Sequence, residues 1–295
     1  MNKINNVLIL AGTHGNELSG IYINKLIKDM VYDVQRSTFS SSSLLVNSKA
    51  IECATRYIET DLNREFSSLN RNSVNKTEEP NSYERLLSQQ FIAEHSLHNN
   101  QLLIDLHNTT SNMGATLILL SNDTFYKKMG AYVKQQMPEA NILFEDEISW
   151  SEQAYLCTAG KYGVMIEVGA QAHGSLQHST LLLMQKMLNA VLDYVEQSNL
   201  NALDSLKNYY AFYFTEEVAI PLDQDGLRNA MVHPAICGKD FEVVKHGEPL
   251  LITLSGEDIT KVSTVETYPH FINESAYCEK NIAMALADKR LVVIE

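Results

Sequence analysis

Residues 7–17, Val7-Leu8-Ile9-Leu10-Ala11-Gly12-Thr13-His14-Gly15-Asn16-Glu17, constrain this chain more than any other stretch. The run from Val7 to Ala11 is apolar and too short for a membrane span, so it predicts a buried strand that stops at Gly12. Just beyond, His14 and Glu17 stand three residues apart with Gly15 and Asn16 between them. A tight turn there would aim an imidazole and a carboxylate at one point, which is half of a metal site; the same two residues also read as a surface His and a capping Glu. Their position at the carboxyl end of a buried strand favours the site, because open α/β sheets bind ligands there. A catalytic zinc takes three protein ligands and keeps a position for water, so a further His is required.

Leu102-Leu103-Ile104-Asp105-Leu106-His107-Asn108 supplies it, an apolar strand that again ends in a histidine. Asp105, two residues earlier and therefore on the same strand face, is set to support the ring from behind. A strand-terminal His is also a common structural residue, and only the His14/Glu17 pair gives His107 its meaning. Tyr162-Gly163-Val164-Met165-Ile166-Glu167-Val168-Gly169 predicts another buried strand, broken by one carboxylate. Turned inward, Glu167 would have a raised pKa and could shuttle a proton; turned outward, it is a glutamate on a strand edge. Between these strands, Arg56, Asp61, Asn63 and Arg64 crowd together without helical or alternating spacing. They form either a shaped loop whose arginines grip a carboxylate or a surface salt-bridge loop.

The remaining pattern predicts helices at 18–31, 83–97, 123–136 and 181–195, and strands at 44–46 and 114–121. The serine-rich 36–43 reads as a loop, 67–82 as a mobile polar connection and 196–208 as a linker; His95 and His98 read as solvent residues. Beyond the linker, short runs at 211–214, 242–245, 250–254 and 291–294 predict a mostly β unit, so that 1–205 would be a catalytic domain and 206–295 a smaller β-rich one. His233, His246 and His270 are single and read as structural, and Tyr277 alone reads as a packing residue. With 295 residues, 45% of them hydrophobic, the chain can bury a large core. Its net charge of -13 argues against a nucleic-acid partner, and an anionic substrate would need local arginines. No apolar run is long enough for a membrane helix, and the polar start of the chain points to the cytoplasm. Cys53, Cys157, Cys237 and Cys278 fit no metal or redox spacing and read as reduced, mostly buried thiols.

Taken in order, Gly12-Thr13-His14-Gly15-Asn16-Glu17, Arg56-Tyr57, Asp61-Leu62-Asn63-Arg64, Asp105-Leu106-His107-Asn108-Thr109-Thr110 and Ile166-Glu167-Val168-Gly169 resemble the aspartoacylase family. That family lies within the wider zinc-carboxypeptidase-like group that includes succinylglutamate desuccinylases. His233-Pro234, Gly247-Glu248-Pro249 and Asn273-Glu274-Ser275-Ala276-Tyr277 are similar to its carboxyl-terminal domain, so the resemblance covers nearly the whole chain. It implies an α/β fold, a zinc-carboxypeptidase-like mixed sheet flanked by helices, with a smaller mostly β carboxyl-terminal domain bordering the active site. It implies one Zn2+ per chain on His14, Glu17 and His107, with Glu167 as general acid/base and Arg56 polarising the scissile carbonyl. Asn63 and Arg64 would contact the substrate carboxylate, and Tyr277 would reach the substrate from the second domain. The implied reaction is hydrolysis of a small N-acyl amino acid, foremost N-acetyl-L-aspartate to L-aspartate and acetate, and the family suggests a homodimer.

One position departs from the pattern. Animal aspartoacylases carry an arginine for the second substrate carboxylate ten residues before the catalytic Glu, and an ungapped match puts Cys157 there, with Lys161 and Lys280 as alternative cations. Relatives that favour N-acyl aromatic amino acids also lack that arginine. Deacylation of an aromatic acyl amino acid or of succinylglutamate, a non-catalytic metal-binding relative, and a peptide-cleaving metallocarboxypeptidase are therefore the alternatives.

Overall fold

The computed structural model describes residues 3–67, 82–96, 98–203, 205–261 and 265–294. Its centre is a mixed sheet of strands β1 (Asn6–Ala11), β2 (Ser40–Leu45), β3 (Gln101–Asn108), β4 (Gly114–Leu119), β5 (Asn141–Phe144), β6 (Tyr162–Gly169), β7 (Tyr209–Ala219), β11 (Tyr268–His270) and β12 (Ile282–Val292). They lie in the order β11-β12-β7-β5-β4-β6-β3-β1-β2. β2, β1, β3 and β6 run parallel, so their carboxyl ends share one edge, while β4 runs antiparallel to β6.

Strand alternation sorts the side chains onto two faces. Val7, Ile9, Leu102, Ile104, Leu106, Val164 and Ile166 share one apolar cluster with residues of three helices: Ile23 of α1 (Leu18–Lys28), Met129 of α4 (Thr124–Gln136), and Leu188 and Val191 of α5 (His178–Asn199). Leu8, Leu10, Leu103, Met165 and Leu143 face the other way, against Leu62, Phe66, Leu156 and Phe91, the last from α3 (Tyr83–His95). Each fully buried aliphatic side chain contributes roughly 1.5–3 kcal/mol, so both faces are firmly fixed. The second face carries the candidate site residues, because Asp105 and His107 continue the alternation of Leu103, and Glu167 continues that of Met165.

Of the serine-rich segment 36–43 read as a loop, 36–39 form a turn, but 40–43 belong to the edge strand β2, paired with β1 from Asn6↔Ser40 to Ala11↔Leu45. Its alternating exposed and half-buried pattern needs no apolar run, because the ladder to β1 holds it and one side meets water. The segment read as a linker begins as helix: α5 continues to Asn199, whose side chain accepts from Ile4 N–H at 3.0 Å and donates to Ile4 C=O at 2.7 Å. The short strand β5 has no sequence signal of its own. His95 is half-buried against Phe91, with ring centroids 4.4 Å apart, rather than in solvent. Most of the polar connection at 67–82 lies outside the described residues.

Beyond residue 206, β8 (Ala230–Val232), β9 (Pro249–Thr253) and β10 (Asp258–Thr260) form a small antiparallel sheet of order β10-β9-β8. A separate apolar cluster that includes Ile236, Leu250, Leu251, Ile272 and Met284 underlies it. The long strands β7 and β12 are shared with the main sheet, where Phe212 and Tyr213 pair with Leu143 and Phe144 of β5. The run at 242–245 is not a strand; only Val244 bridges, to Thr267. All four cysteines are free, but Cys53, Cys237 and Cys278 are exposed, against the expectation of mostly buried thiols. Cys53 and Cys278 fall on short helical segments, and Cys237 in a turn, each with a side to solvent. Among the described residues, no helix is long and apolar enough to cross a membrane.

Candidate active site

β1 stops at Gly12, whose φ of +68° lies in the left-handed region that a residue with a Cβ rarely adopts. The chain then turns through Gly15, where a Cβ would meet the Ala50 carbonyl carbon at 2.0 Å, so α2 (Ser48–Cys53) packs directly against the turn. This close approach seats His14 and Glu17, 2% and 4% exposed, under the edge of the sheet. Glu17 is the cap residue of α1, yet its side chain makes no capping hydrogen bond. The readings of a surface His and a capping Glu are thereby removed.

His107 arrives from the end of β3, and the Nδ1 atoms of both histidines face the Glu17 carboxylate. His14 Nδ1 lies 2.7 Å from Oε1, and His107 Nδ1 lies 2.9 Å from Oε2. All three ligand atoms fall within 4.8 Å of one another. Behind them, His14 Nε2 is 2.9 Å from Asp61 Oδ1 and His107 Nε2 is 2.8 Å from Asp105 Oδ2. A carboxylate on the outer nitrogen holds the proton there and turns the Nδ1 lone pair inward, the arrangement by which proteins orient metal-binding imidazoles. His14 Nδ1 is buried and, despite its short contact with Glu17, makes no hydrogen bond. Two buried imidazole lone pairs and a carboxylate converging on one point fit a borderline divalent ion such as zinc.

The same contacts set the electrostatics of the cluster. Burial opposes ionisation of Glu17, but the His14 and His107 imidazoles outweigh it and hold the carboxyl well below its usual range. Burial likewise opposes the charged form of His107, and Asp105 and Glu17 outweigh it, raising its pKa well above the ordinary value. Asp61 is held low in the same way, against its burial, by His14, Arg56 and Arg64.

Glu167 lies beside His107, its register partner on the parallel strand β6. It is buried, and Oε1 has no hydrogen-bond partner. Burial first, and the Glu17 charge second, push its pKa well up, with His107 opposing. The inward reading of Glu167 is therefore the one found. Arg56 is pinned by Asp61, with Nε and NH2 3.2 and 3.1 Å from Oδ2, and its NH1 donates to Glu17 Oε1 at 3.0 Å. Asp61 also caps the 3-10 turn Leu62–Arg64 through Asn63 N–H, so one carboxylate ties His14, Arg56 and the Asn63/Arg64 turn together. Asn63 Oδ1 accepts from Leu156 N–H at 2.7 Å, and Arg64 NH1 donates to the Asn63 carbonyl at 2.8 Å.

Every candidate site residue, Tyr277 included, lines one cavity. Tyr277 comes from the 3-10 helix Ser275–Lys280 beyond β11. Glu274 anchors that helix by accepting from Thr110 N–H at 2.8 Å, Thr110 Oγ1–H at 2.9 Å, Ser111 N–H at 3.3 Å and the Thr109 hydroxyl. Sequence reasoning gave no part to Glu274, nor to the wall residues Ile118, Glu145, Tyr155, Met165 and Phe271. A glutamate buried against hydroxyls and backbone amides is the only signal Glu274 offers, and it needs the fold to be seen. Cys157 is buried behind the cavity in the 3-10 turn Leu156–Ala159 and does not line it, and Lys161 and Lys280 are exposed outside it.

A mixed α/β sheet with a preorganised His/Glu/His cluster at its strand ends, roofed by a β-rich carboxyl-terminal part, defines a protein built around a buried candidate metal centre. Residues 3–195 match the succinylglutamate desuccinylase/aspartoacylase catalytic domain, and residues 207–289 match the AstE/AspA barrel-sandwich hybrid domain. The chain belongs to the succinylglutamate desuccinylase/aspartoacylase family. It is 37% identical over 296 residues to a protein of Nostoc sp. named "Probable aspartoacylase", with 99% of each chain covered. It is 31% identical to the Xenopus laevis "N-acyl-aromatic-L-amino acid amidohydrolase (carboxylate-forming)", covering 97% of this chain and 95% of that one. The crystal structure of murine aminoacylase 3 superposes with a TM-score of 0.88 at 28% identity, covering 99% of this chain and 98% of that one.

Proposed function

We propose that the protein is a zinc-dependent amidohydrolase that cleaves a small N-acyl amino acid to a carboxylate and the free amino acid. The observation that carries this reading is the Glu17 carboxylate set between two imidazole Nδ1 atoms whose outer nitrogens rest on Asp61 and Asp105. Zinc held by His14, Glu17 and His107 would supply Lewis acidity, lowering the pKa of water to about 7 and polarising an acyl carbonyl.

The chain's own residues do the rest. Glu167, buried beside His107 with an unpartnered oxygen, takes the proton from the attacking water and then gives it to the leaving nitrogen as the amide C–N bond breaks. Arg56, immobilised by Asp61, stabilises the negative charge that develops on the carbonyl oxygen. Arg64 and the Asn63 amide bind the α-carboxylate, which sets the acyl group over the ligand cluster. Tyr277 and Phe271 close the cavity from the carboxyl-terminal part and restrict it to small substrates.

N-acetyl-L-aspartate and an N-acetylated aromatic amino acid are the two substrates that the relatives' names bring forward. Release of acetate from N-acetyl-L-aspartate and N-acetyl-L-tyrosine by the zinc-loaded protein tests the reading. Turnover of either supports it; turnover of neither, nor of a succinylated or longer N-acyl amino acid, contradicts it.

A further inference from the structure

The cavity contains a carboxyl group, Glu145, that neither the proposed reaction nor the anchoring of the Ser275–Lys280 helix uses. Glu145 follows β5, and alternation puts it on the same sheet face as Leu143, toward Met165 and the site. Its side chain is buried, and Oε2 accepts from Tyr155 O–H at 2.8 Å. The groups that act on it are Tyr155, Arg64 and Tyr277, which line the same cavity, with Glu147 and Glu217 adding negative charge. Ile118, Met165 and Phe271 supply the apolar wall beside it.

Charge balance makes this position consequential. Among the described lining residues the guanidinium cations are Arg56 and Arg64, and His107 is engaged by Asp105 and Glu17, against the carboxylates of Glu17, Glu145, Glu167 and Glu274. Arg56 is held by Asp61 and Glu17, and Arg64 serves the α-carboxylate in the proposed reaction. A carboxylate on the substrate's side chain would find no cation of its own and would meet Glu145 instead. Neither Cys157 nor Lys161 nor Lys280 reaches the cavity to offset it.

We infer that Glu145 is the specificity-determining residue of this site: it admits N-acyl amino acids with neutral side chains and rejects those with acidic ones. The inference rests on the reading of the chain as an N-acyl amino acid hydrolase. Two carboxylates brought together out of water cannot both stay ionised without a large penalty, so an acidic substrate binds only when one of the pair carries a proton. Burial foremost, with Glu147 and Glu217 adding to it and Tyr155 and Arg64 opposing, pushes the Glu145 carboxyl up to about 7. The discrimination therefore grows as the pH rises through neutrality. A neutral amide or hydroxyl donates to Glu145, and an aromatic or thioether side chain covers the apolar wall.

The test compares kcat/KM for N-acetyl-L-aspartate and its neutral isostere N-acetyl-L-asparagine, using the zinc-loaded wild-type protein and Glu145→Gln. At about pH 8 the wild type favours the asparagine substrate by about tenfold or more, and Glu145→Gln shrinks that ratio by about tenfold. In the wild type the ratio relaxes toward acid pH, a profile that serves even where the variant fails to fold. Preference for N-acetyl-L-aspartate, or a ratio that ignores both the substitution and the pH, overturns the inference and leaves the hydrolase reading intact. Failure to hydrolyse any N-acyl amino acid overturns both.

Discussion

Asp61 Oδ1 lies 2.9 Å from Nε2 of His14, and Oδ2 of the same carboxylate holds Arg56. One side chain thus orients a candidate metal ligand and the candidate oxyanion-stabilising arginine together, linking the α2 loop to the turn after β1.

Asp61→Asn keeps the shape and removes the charge. The imidazole loses the partner that fixes its proton on Nε2, and zinc affinity falls by about 10- to 100-fold. Competition against a chromogenic zinc chelator measures it, and an unchanged dissociation constant would show that Asp61 does not orient the ligand.

Glu167→Gln removes the proton acceptor and leaves the apolar surroundings of β6 in place. Loss of a positioned general base lowers kcat by about 100- to 10,000-fold, while zinc content and substrate binding stay near wild type. Steady-state kinetics alongside isothermal titration with substrate separate the two. A kcat within a few-fold of wild type would assign the proton transfer to another group.

Much of this site is legible in the sequence because its apolar strands end on the residues concerned. His14 and Glu17 follow the run from Val7, His107 closes the run from Leu102, and Glu167 interrupts the run from Tyr162, so strand ends and face parity are readable without coordinates. The supporting groups are not. Asp61 is 47 positions from His14, and the loop that carries it has no periodicity to reveal what its carboxylate faces. Glu145 opens the acidic triplet Glu145-Asp146-Glu147, and only the four-residue strand β5 before it fixes which face its side chain takes. The fold shows the same limit. Ser40 to Ser43 carry no strand signal, since an edge strand needs a neighbour's backbone more than an apolar pattern. The helical end at Asn199 depends on the Ile4 peptide, nearly two hundred positions away.

Glu145 also makes stability depend on pH. Its folded-state pKa of about 7 lies above the ordinary 4.5, so the folded chain binds this proton more tightly than the unfolded one. That contribution is fully present below about pH 4.5 and is lost as the pH rises through 7. Glu145→Gln, which has no charge to bury, gains relative to wild type over the same window, by up to the order of 3 kcal/mol at pH 8 and far less at pH 5. Denaturant unfolding of both proteins at the two pH values reads the difference. A gain that is equal at both, or larger at pH 5, contradicts the assignment.

The central claim is that His14, Glu17 and His107 hold one metal ion on which hydrolysis depends, and titrating the metal-stripped protein with zinc while following acetate release tests it most directly. The account predicts no turnover by the stripped protein, a linear rise with added zinc, and a break at about one equivalent per chain, a break that His107→Ala removes. Turnover that persists after stripping, or that His107→Ala leaves intact, would contradict it.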